Sequence, residues 1–281
     1  MELKQATAAD VPELGRILYE AFRDIAESHG FEPDFPNVEF ATAVCGLLVA
    51  REDVYSASVH DGGRPRASTH VNYWGDVAGI GPVSVDLDAQ GGGYGRAMML
   101  DSIDHSVGAG YEMIRLMQDS FNMRSLALYA SVGFVVREPY AEMDLSSEGE
   151  KDAAFRVATP ADYVHMDELC RSIYGVSRFG EYEAMAASAI PIYVLDRGGI
   201  VAYKIATGFG HGVARSDDDM LALLASVGAH APTEHAYVPI RSGDLYRGML
   251  AAGHRNRKVM NMMSYGPYDP PTGTHVASAM F

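Results

Sequence analysis

A glycine-rich segment between a strand-like run and a helix-like run constrains the fold of this chain more than any other feature. Residues 90–96 read Gln-Gly-Gly-Gly-Tyr-Gly-Arg, after an apolar run over 77–85 and before a helical pattern over 96–107. Glycine lets backbone N–H groups converge on an anion, and a helix N-terminus adds partial positive charge. The segment therefore predicts a phosphate-binding loop, with a flexible turn that binds nothing as the alternative.

Composition excludes several classes of partner. The chain carries 22 Lys and Arg against 37 Asp and Glu, a net charge of −15, whereas a nucleic-acid-binding surface must be basic. No apolar run approaches the roughly 20 residues that span a bilayer, and the N-terminus lacks the layout of a signal peptide. We therefore expect a cytoplasmic protein that binds neither nucleic acid nor membranes. Cys45 and Cys170 are too few for a zinc site, so no metal is expected.

Two similar halves indicate a tandem arrangement. Ala-Thr-Ala-Ala-Asp at 6–10 returns as Ala-Thr-Pro-Ala-Asp at 158–162, and a helix–glycine–strand pattern recurs around Gly133 and Gly253. The copies are offset by 152 residues at the start and by 120 at the end, so the second copy is shorter by about 32 residues.

A polar stretch over 146–152 separates the halves, and we expect domains over 1–146 and 155–281. In the first half, periodicity predicts the order β-α-α-β-β-β-α-β-α-β. This order gives an α/β fold in which a mixed sheet lies between layers of helices, antiparallel at the front and parallel around the last helices. The predicted helices cover 10–28, 38–50, 95–108 and 122–132, and the predicted strands cover 2–6, 54–60, 66–74, 76–86, 112–118 and 134–144.

Two motifs in this order are typical of one family. The first, Gln/Arg-x-x-Gly-x-Gly/Ala, is matched by Gln90, Gly93 and Gly95. The second, Asn-x-x-Ala/Ser-x-x-Leu-Tyr-x-x-x-Gly-Phe, is matched by Asn122, Ser125, Leu128, Tyr129, Gly133 and Phe134. Together they are specific, although either alone is weak. The first half resembles the GNAT superfamily of acetyl-CoA-dependent N-acyltransferases, and the chain resembles a tandem-GNAT protein with a degenerate second domain.

The resemblance implies where acetyl-CoA would bind. The loop would hold the pyrophosphate of coenzyme A through backbone N–H groups, and the strand before it would pair with the pantetheine arm. Asn122 would bind the pantetheine or orient the helix start, and a plain helix cap is its alternative role. The residues assigned to the cofactor are Val83, Ser84, Val85, Gln90, Gly91, Gly92, Gly93, Tyr94, Gly95, Arg96, Asn122 and Tyr129.

The resemblance also implies the chemistry. Tyr129 would protonate the departing thiolate, unless it is simply a core tyrosine. The attacking amine must be neutral, so another group must accept its proton. Family members often place a glutamate on the strand before the loop, but 77–85 contains no acid. Asp76, Asp119, the C-terminal carboxylate of Phe281 and a water relay remain alternatives for the base.

The acceptor site is expected at the turn between the first two helices. Its residues are Phe31, Glu32, Asp34 and Phe35, and aromatic rings with carboxylates can hold an alkyl ammonium. A solvated loop with its rings packed inward is the alternative. The predicted function is N-acetylation of a small-molecule amine, and the alternative is a non-catalytic acyl-CoA-binding or sensing module. A nicotinamide-binding fold is disfavoured, because the loop lacks the Gly-x-Gly-x-x-Gly spacing.

The second half lacks this machinery. Where the loop should lie, residues 211–219 place three aspartates at a helix start, and these would repel phosphate. Met249 takes the position of Tyr129 and cannot donate a proton. We expect no coenzyme A site in 155–281. We also expect a monomer or a homodimer, because tandem copies can mimic a dimer within one chain.

Overall fold

The first half forms the predicted order of elements. The computed structural model describes residues 1–207, 210–231 and 234–279. The helices are α1 (Val11–Ser28), α2 (Val38–Ala50), α3 (Tyr94–Gly108) and α4 (Met123–Ser131), and the strands are β1 (Glu2–Gln5), β2 (Val54–Asp61), β3 (Arg64–Asn72), β4 (Ala78–Val85), β5 (Ile114–Asp119) and β6 (Val135–Asp144). The predicted order and the α/β class are confirmed, and each predicted end lies within two residues of the observed one.

The second half repeats these elements in the same order. They are β7 (Phe155–Val157), α5 (Tyr163–Tyr174), α6 (Phe179–Ala187), β8 (Ile192–Asp196), β9 (Ile200–Ile205), β10 (Gly212–Ala214), α7 (Asp217–His230), β11 (His235–Pro239), α8 (Gly243–Ala251) and β12 (Arg255–Tyr265), followed by β13 (Thr274–Val276). The early elements are shorter than their counterparts: α5 has 12 residues where α1 has 18. No helix in the described ranges has the length and apolar character that crossing a bilayer requires.

Local sequence explains the two helices that lead into the predicted acceptor turn. α1 buries a stripe formed by Leu14, Ile17 and Leu18, which share one helical face. α2 begins at Asn37, whose side chain accepts a hydrogen bond from the N–H of Phe40. The turn between them is therefore anchored at both ends by ordinary packing and capping.

The two halves exchange their last strands. The larger sheet has the order β1-β2-β3-β4-β5-β12-β6-β11, so β12 of the second half lies between β5 and β6 of the first. In return, β6 pairs with β11, the counterpart of β5. At the centre, β6 and β12 pair antiparallel with each other. The division predicted at 146–155 therefore separates the sequence repeats but does not separate the sheets.

β4 and β5 are paired only at their first residues. They pair in parallel only at Ala78 with Ile114 and at Gly79 with Arg115. Beyond these residues the strands diverge, and in the described chain no strand pairs with the β5 side of β4 from 80 to 85. The sheet thus contains a gap whose wall is an unpaired strand edge.

The corresponding gap in the second half is filled by the chain itself. β13 pairs antiparallel with β10, and the N–H of Ala277 donates to the carbonyl of Tyr237 in β11 over 2.9 Å. β13 therefore lies between β10 and β11, where the first half has an open gap. The side chain of Thr274 also donates to Asp217 at the start of α7 over 2.6 Å.

Met263→Ala tests the strand exchange. Met263 belongs to β12 but is fully buried in the apolar cluster that contains Ile114 and Phe134 of the first half. Losing this side chain should lower the free energy of unfolding by about 2–5 kcal/mol, because a cavity remains. Circular dichroism should show one transition for the whole chain.

Val259→Ala is the matched control for this strand. Its side chain is 38% exposed, so its loss should cost less than about 1 kcal/mol. Two separate transitions, with only the second-half transition shifted by Met263→Ala, would contradict the exchange.

Candidate active site

The glycine-rich loop presents unused backbone donors at the N-terminus of α3. Gly91 and Gly93 have φ angles of +83° and +85°, which glycine adopts without strain. Within the described chain, the N–H groups of residues 93–96 donate to no acceptor. Converging N–H groups at the positive end of a helix dipole suit a diphosphate. The geometry therefore suits the phosphate loop that the sequence predicts.

Side chains connect this loop to its neighbours. The hydroxyl of Tyr94 donates to the carboxylate of Asp61 at the end of β2 over 2.8 Å. Arg124 of α4 donates to the side-chain oxygen of Gln90, while the guanidinium of Arg96 reaches the last turn of α4. Arg124 is therefore a cation beside the loop that sequence analysis did not single out.

The unpaired edge of β4 leads from the loop toward the middle of the sheet. Val83, Ser84 and Val85 pair with β3 on one side only. Their other side faces the gap, where an extended ligand can add itself as a further strand. This is the placement that the resemblance implies for a pantetheine arm.

Tyr129 packs in an apolar cluster to which the strands on both sides of this gap contribute. It is 9% exposed and shares an apolar cluster with Ile80 of β4 and Leu116 of β5. Burial, followed by the carboxylate of Asp119, raises the pKa of its phenol well above the usual value. Its hydroxyl makes no hydrogen bond to the described residues. A phenol that stays protonated and uncommitted is suited to donating a proton.

Four charged side chains meet below the turn between α1 and α2. The ammonium nitrogen of Lys258 lies 2.5 Å from Asp34 Oδ1, 2.8 Å from Asp119 Oδ1 and 3.7 Å from Glu142 Oε2. Asp34 comes from the turn, Asp119 from the end of β5, Glu142 from β6 and Lys258 from β12. We call these four residues the acidic cluster. It joins a predicted acceptor residue and a predicted base to two residues that the sequence did not reveal.

The acidic cluster has more negative than positive charge. Arg257 adds a second cation, with its Nε 3.1 Å from Glu142 Oε1, so three carboxylates face two cations. Burial outweighs the attraction of Lys258 and raises the pKa of Glu142 to about 7. Burial also raises the pKa of Asp119 above its ordinary value. Burial would lower the pKa of Lys258, but Asp34 and the other carboxylates raise it. The cluster therefore keeps Lys258 charged, and Glu142 titrates near neutral pH.

Asp76 is not part of this arrangement. It precedes β4, whereas Asp119 ends the parallel neighbour β5, so the two lie at opposite ends of the pair. Asp76 is 47% exposed and accepts a hydrogen bond from the N–H of Ser177 over 2.7 Å.

The Phe281 carboxylate, another predicted candidate for the base, lies outside the described residues. The carbonyl of Ala279 approaches β4 near Gly81.

The other predicted side chains divide between surface and core. Phe31 stacks on Phe121, with ring centroids 4.4 Å apart, and Glu32 is exposed. Phe35 is 5% exposed and belongs to the core of α1 and α2, not to an acceptor pocket. Asn122 caps α4, since its side-chain oxygen accepts from the N–H of Ser125 over 3.1 Å. The alternative of inward packing thus describes Phe35, and the alternative of a helix cap describes the side-chain oxygen of Asn122.

Glu142 and Lys258 are the functional candidates that sequence analysis missed. Each is a charged residue at an inward-facing strand position, two residues from a buried neighbour, Tyr140 and Met260 respectively. Such a charge in a buried strand is unusual and was a detectable signal. The proximity of these two residues to Asp119 was not detectable from the sequence, because it depends on the strand exchange.

Comparison with known proteins agrees with this geometry. The model of the acetyltransferase (GNAT) family matches residues 18–134, which include the loop, Asn122 and Tyr129. Residues 18–134 belong to the GNAT acetyltransferase family. Enzymes of this family are acyltransferases that use acetyl-CoA. A comparison with curated proteins gives no match.

Solved structures show that the GNAT fold extends over the whole chain. A protein of Pyrococcus horikoshii assigned as an acetyltransferase aligns over 100% of this chain and 94% of its own chain, with a TM-score of 0.79 and 16% sequence identity. A GCN5-related N-acetyltransferase of Sphaerobacter thermophilus aligns over 97% of this chain and 98% of its own, with a TM-score of 0.62 and 18% identity. A GCN5-related N-acetyltransferase of Anabaena variabilis aligns over 94% of this chain and 72% of its own, with a TM-score of 0.59 and 12% identity. The chain therefore contains two GNAT-like domains.

Glu142→Gln should make the stability of this GNAT protein less dependent on pH. The carboxyl group keeps its proton up to about pH 7 in the folded chain, against about 4.5 for an ordinary glutamate. Protonated Glu142 therefore stabilises the folded chain relative to the unfolded chain, by at most about 3 kcal/mol. This stabilisation is fully present below about pH 4.5 and is lost as the pH rises through about 7. Urea unfolding between about pH 5 and pH 8 should show a steeper fall with pH in the wild type. Equal slopes would show that Glu142 ionises normally.

Proposed function

We propose that the chain is an N-acetyltransferase that transfers the acetyl group of acetyl-CoA to the amine of a small molecule. One arrangement carries the proposal: beside the gap between β4 and β5, the backbone donors at 93–96 are unused, and Tyr129, whose hydroxyl is uncommitted, packs against Ile80 of β4. Asp119 ends the strand on the other side of that gap and influences the Tyr129 phenol. Anion binding, a proton donor and a proton acceptor thus lie along one path.

The cofactor assignment rests mainly on backbone groups that have no other partner in the described chain. The N–H groups of the loop would hold the pyrophosphate, and Gln90 and Arg124 would flank it. The edge at Val83, Ser84 and Val85 would bind the pantetheine arm by backbone hydrogen bonds. When bound, acetyl-CoA supplies an acyl group activated as a thioester.

Tyr129 and Asp119 divide the proton transfers. Asp119 accepts a proton from the acceptor ammonium, so that the neutral nitrogen can attack the thioester carbonyl. Tyr129 gives its proton to the departing thiolate. A raised phenol pKa suits this role, because Tyr129 must reach the reaction protonated.

The acceptor is proposed to be a small amine because the acids that would receive it are enclosed. The side chains of Asp34 and Asp119 are only 17% and 11% exposed. A folded protein surface does not reach carboxylates at that depth, whereas a short alkyl ammonium does. Glu32 at the exposed rim of the same turn would attract the cation first.

Thiol release from acetyl-CoA in the presence of spermidine, kanamycin and L-lysine tests the proposed function. We expect acceptor-dependent release with at least one amine and a product heavier by one acetyl group. Tight coenzyme A binding without release for any amine would favour the sensing module. Absence of coenzyme A binding would contradict both functions.

Tyr129→Phe should lower kcat by about 10²–10⁴-fold and leave KM for acetyl-CoA within about twofold, since only the proton donor is lost. Tyr265→Phe is a matched control, because Tyr265 packs against the same apolar cluster. Steady-state thiol release measures both variants. An unchanged kcat for Tyr129→Phe would exclude the phenol as the acid.

Gly93→Ala should weaken coenzyme A binding about tenfold or more, which corresponds to about 1.4 kcal/mol. A Cβ at Gly93 would occupy open space in front of the donors. Gly63→Ala is the control: Gly63 has a φ of +80°, also faces open space, and carries the same backbone cost of about 1–2 kcal/mol. Calorimetry should show weaker binding for Gly93→Ala only.

We also propose that residues 155–281 bind no coenzyme A. β13 takes up the edge of β10 that a pantetheine arm would need. Asp217, Asp218 and Asp219 fill the first turn of α7, and Ser216 already caps it. Calorimetry on the wild type should give one coenzyme A per chain, and two would overturn this assignment.

A further inference from the structure

We propose that the second half completes the base of the first: Lys258 positions Asp119, and Asp119 and Glu142 together take up the proton of the acceptor amine. The inference rests on the proposed function and names the part of the site that deprotonates the acceptor. It gives the second half a direct part in catalysis, beyond enclosing the site.

The register of the exchanged strands sets this geometry. Lys258 is opposite Glu142 on β6, and Met260 is opposite Asp119 on β5. Residues two apart on a strand share a face, so Lys258 lies diagonal to Asp119 and directly across from Glu142. One ammonium thereby contacts carboxylates from two strands of the other half, at 2.8 and 3.7 Å.

The cluster contains a buried carboxylate oxygen that its own cations do not satisfy. Glu142 is 2% exposed, and its Oε2 accepts no hydrogen bond in the described chain and lies 3.7 Å from the ammonium of Lys258. Asp119 Oδ1, in contrast, has that ammonium at 2.8 Å. Buried carboxylate oxygens without donors are costly unless a proton or a cation reaches them. The Asp119–Glu142 pair is therefore placed to receive the proton of an arriving ammonium.

Every strand around Glu142 contributes a group that affects its charge. β12 provides Lys258 and Arg257, β5 provides Asp119, and the α1–α2 turn provides Asp34. β11 provides His235, whose Nε2 lies 3.6 Å from Glu142 Oε1, and Tyr237. Burial lowers the pKa of His235 to about 4, so this imidazole is neutral when the carboxyl groups titrate.

The proton balance is complete without further reagents. The ammonium loses one proton to the Asp119–Glu142 pair, which returns it to solvent. The neutral nitrogen forms the C–N bond, and the C–S bond breaks. Tyr129 protonates the thiolate and is reprotonated by the second proton that leaves the nitrogen. The net products are the amide, the free thiol of coenzyme A and one proton.

The pH dependence of kcat/KM tests the proposal, with the amine among spermidine, kanamycin and L-lysine that reacts fastest. In the wild type the acidic limb should report the carboxylate pair. Glu142→Gln should move this limb to lower pH by about one unit or more, because Asp119 loses a negative neighbour. Lys258→Met should move it to higher pH by about one unit or more, because a cation is lost. Lys258→Arg should restore the wild-type position.

Asp144→Asn is the matched control. Asp144 lies on β6, contacts the same Arg257 at 3.1 Å and is 52% exposed, outside the acidic cluster. The acidic limb of the kcat/KM profile of Asp144→Asn should stay at the wild-type pH. If folded Glu142→Gln leaves the limb unmoved, the proposal is overturned, whether or not Lys258→Met folds. Loss of thiol release in the wild type with every amine would instead contradict the proposed function.

Discussion

The exchange of β6 and β12 is the interaction on which the rest of this structure depends. Each strand leaves its own half and pairs with the strand that precedes its counterpart, so the eight-stranded sheet is built from both halves. Backbone hydrogen bonds and apolar burial at the centre are therefore shared, as Met263 shows by completing the first-half core. We therefore expect the two repeats to unfold as one unit.

The same exchange brings buried charge to the candidate site. A lysine on β12 reaches aspartates of the first half only because its strand lies beside β5. Burying three carboxylates is unfavourable, and Lys258 with Arg257 offsets only part of that cost. The remaining imbalance raises the pKa of Glu142 toward neutrality. In the function proposed here, this stability cost in the sheet provides the proton acceptor.

The two gaps in the structure show how one fold separates into an open and a closed copy. In the first half the β4 edge is unpaired beside a glycine-rich helix start. In the second, β13 pairs with the equivalent edge, and aspartates and a serine cap satisfy the helix start from within. Backbone donors and a strand edge must find partners when buried. The second copy meets this need with its own chain, and in the first copy we propose that a ligand meets it.

The sequence by itself determined the order of elements, the repeat and the glycine-rich turn at the start of α3, because these depend on local periodicity and glycine geometry. It also proposed the phosphate-binding role of that turn and the role of Tyr129 from closely spaced motifs. It also identified Asp34 and Asp119 one by one. Only the tertiary structure decided that these two meet, that Asp76 lies at the other end of the strands, and that Phe35 belongs to the core. Lys258 and Glu142 are 116 residues apart in sequence. Their contact follows from strand pairing across the two halves, which local sequence does not encode.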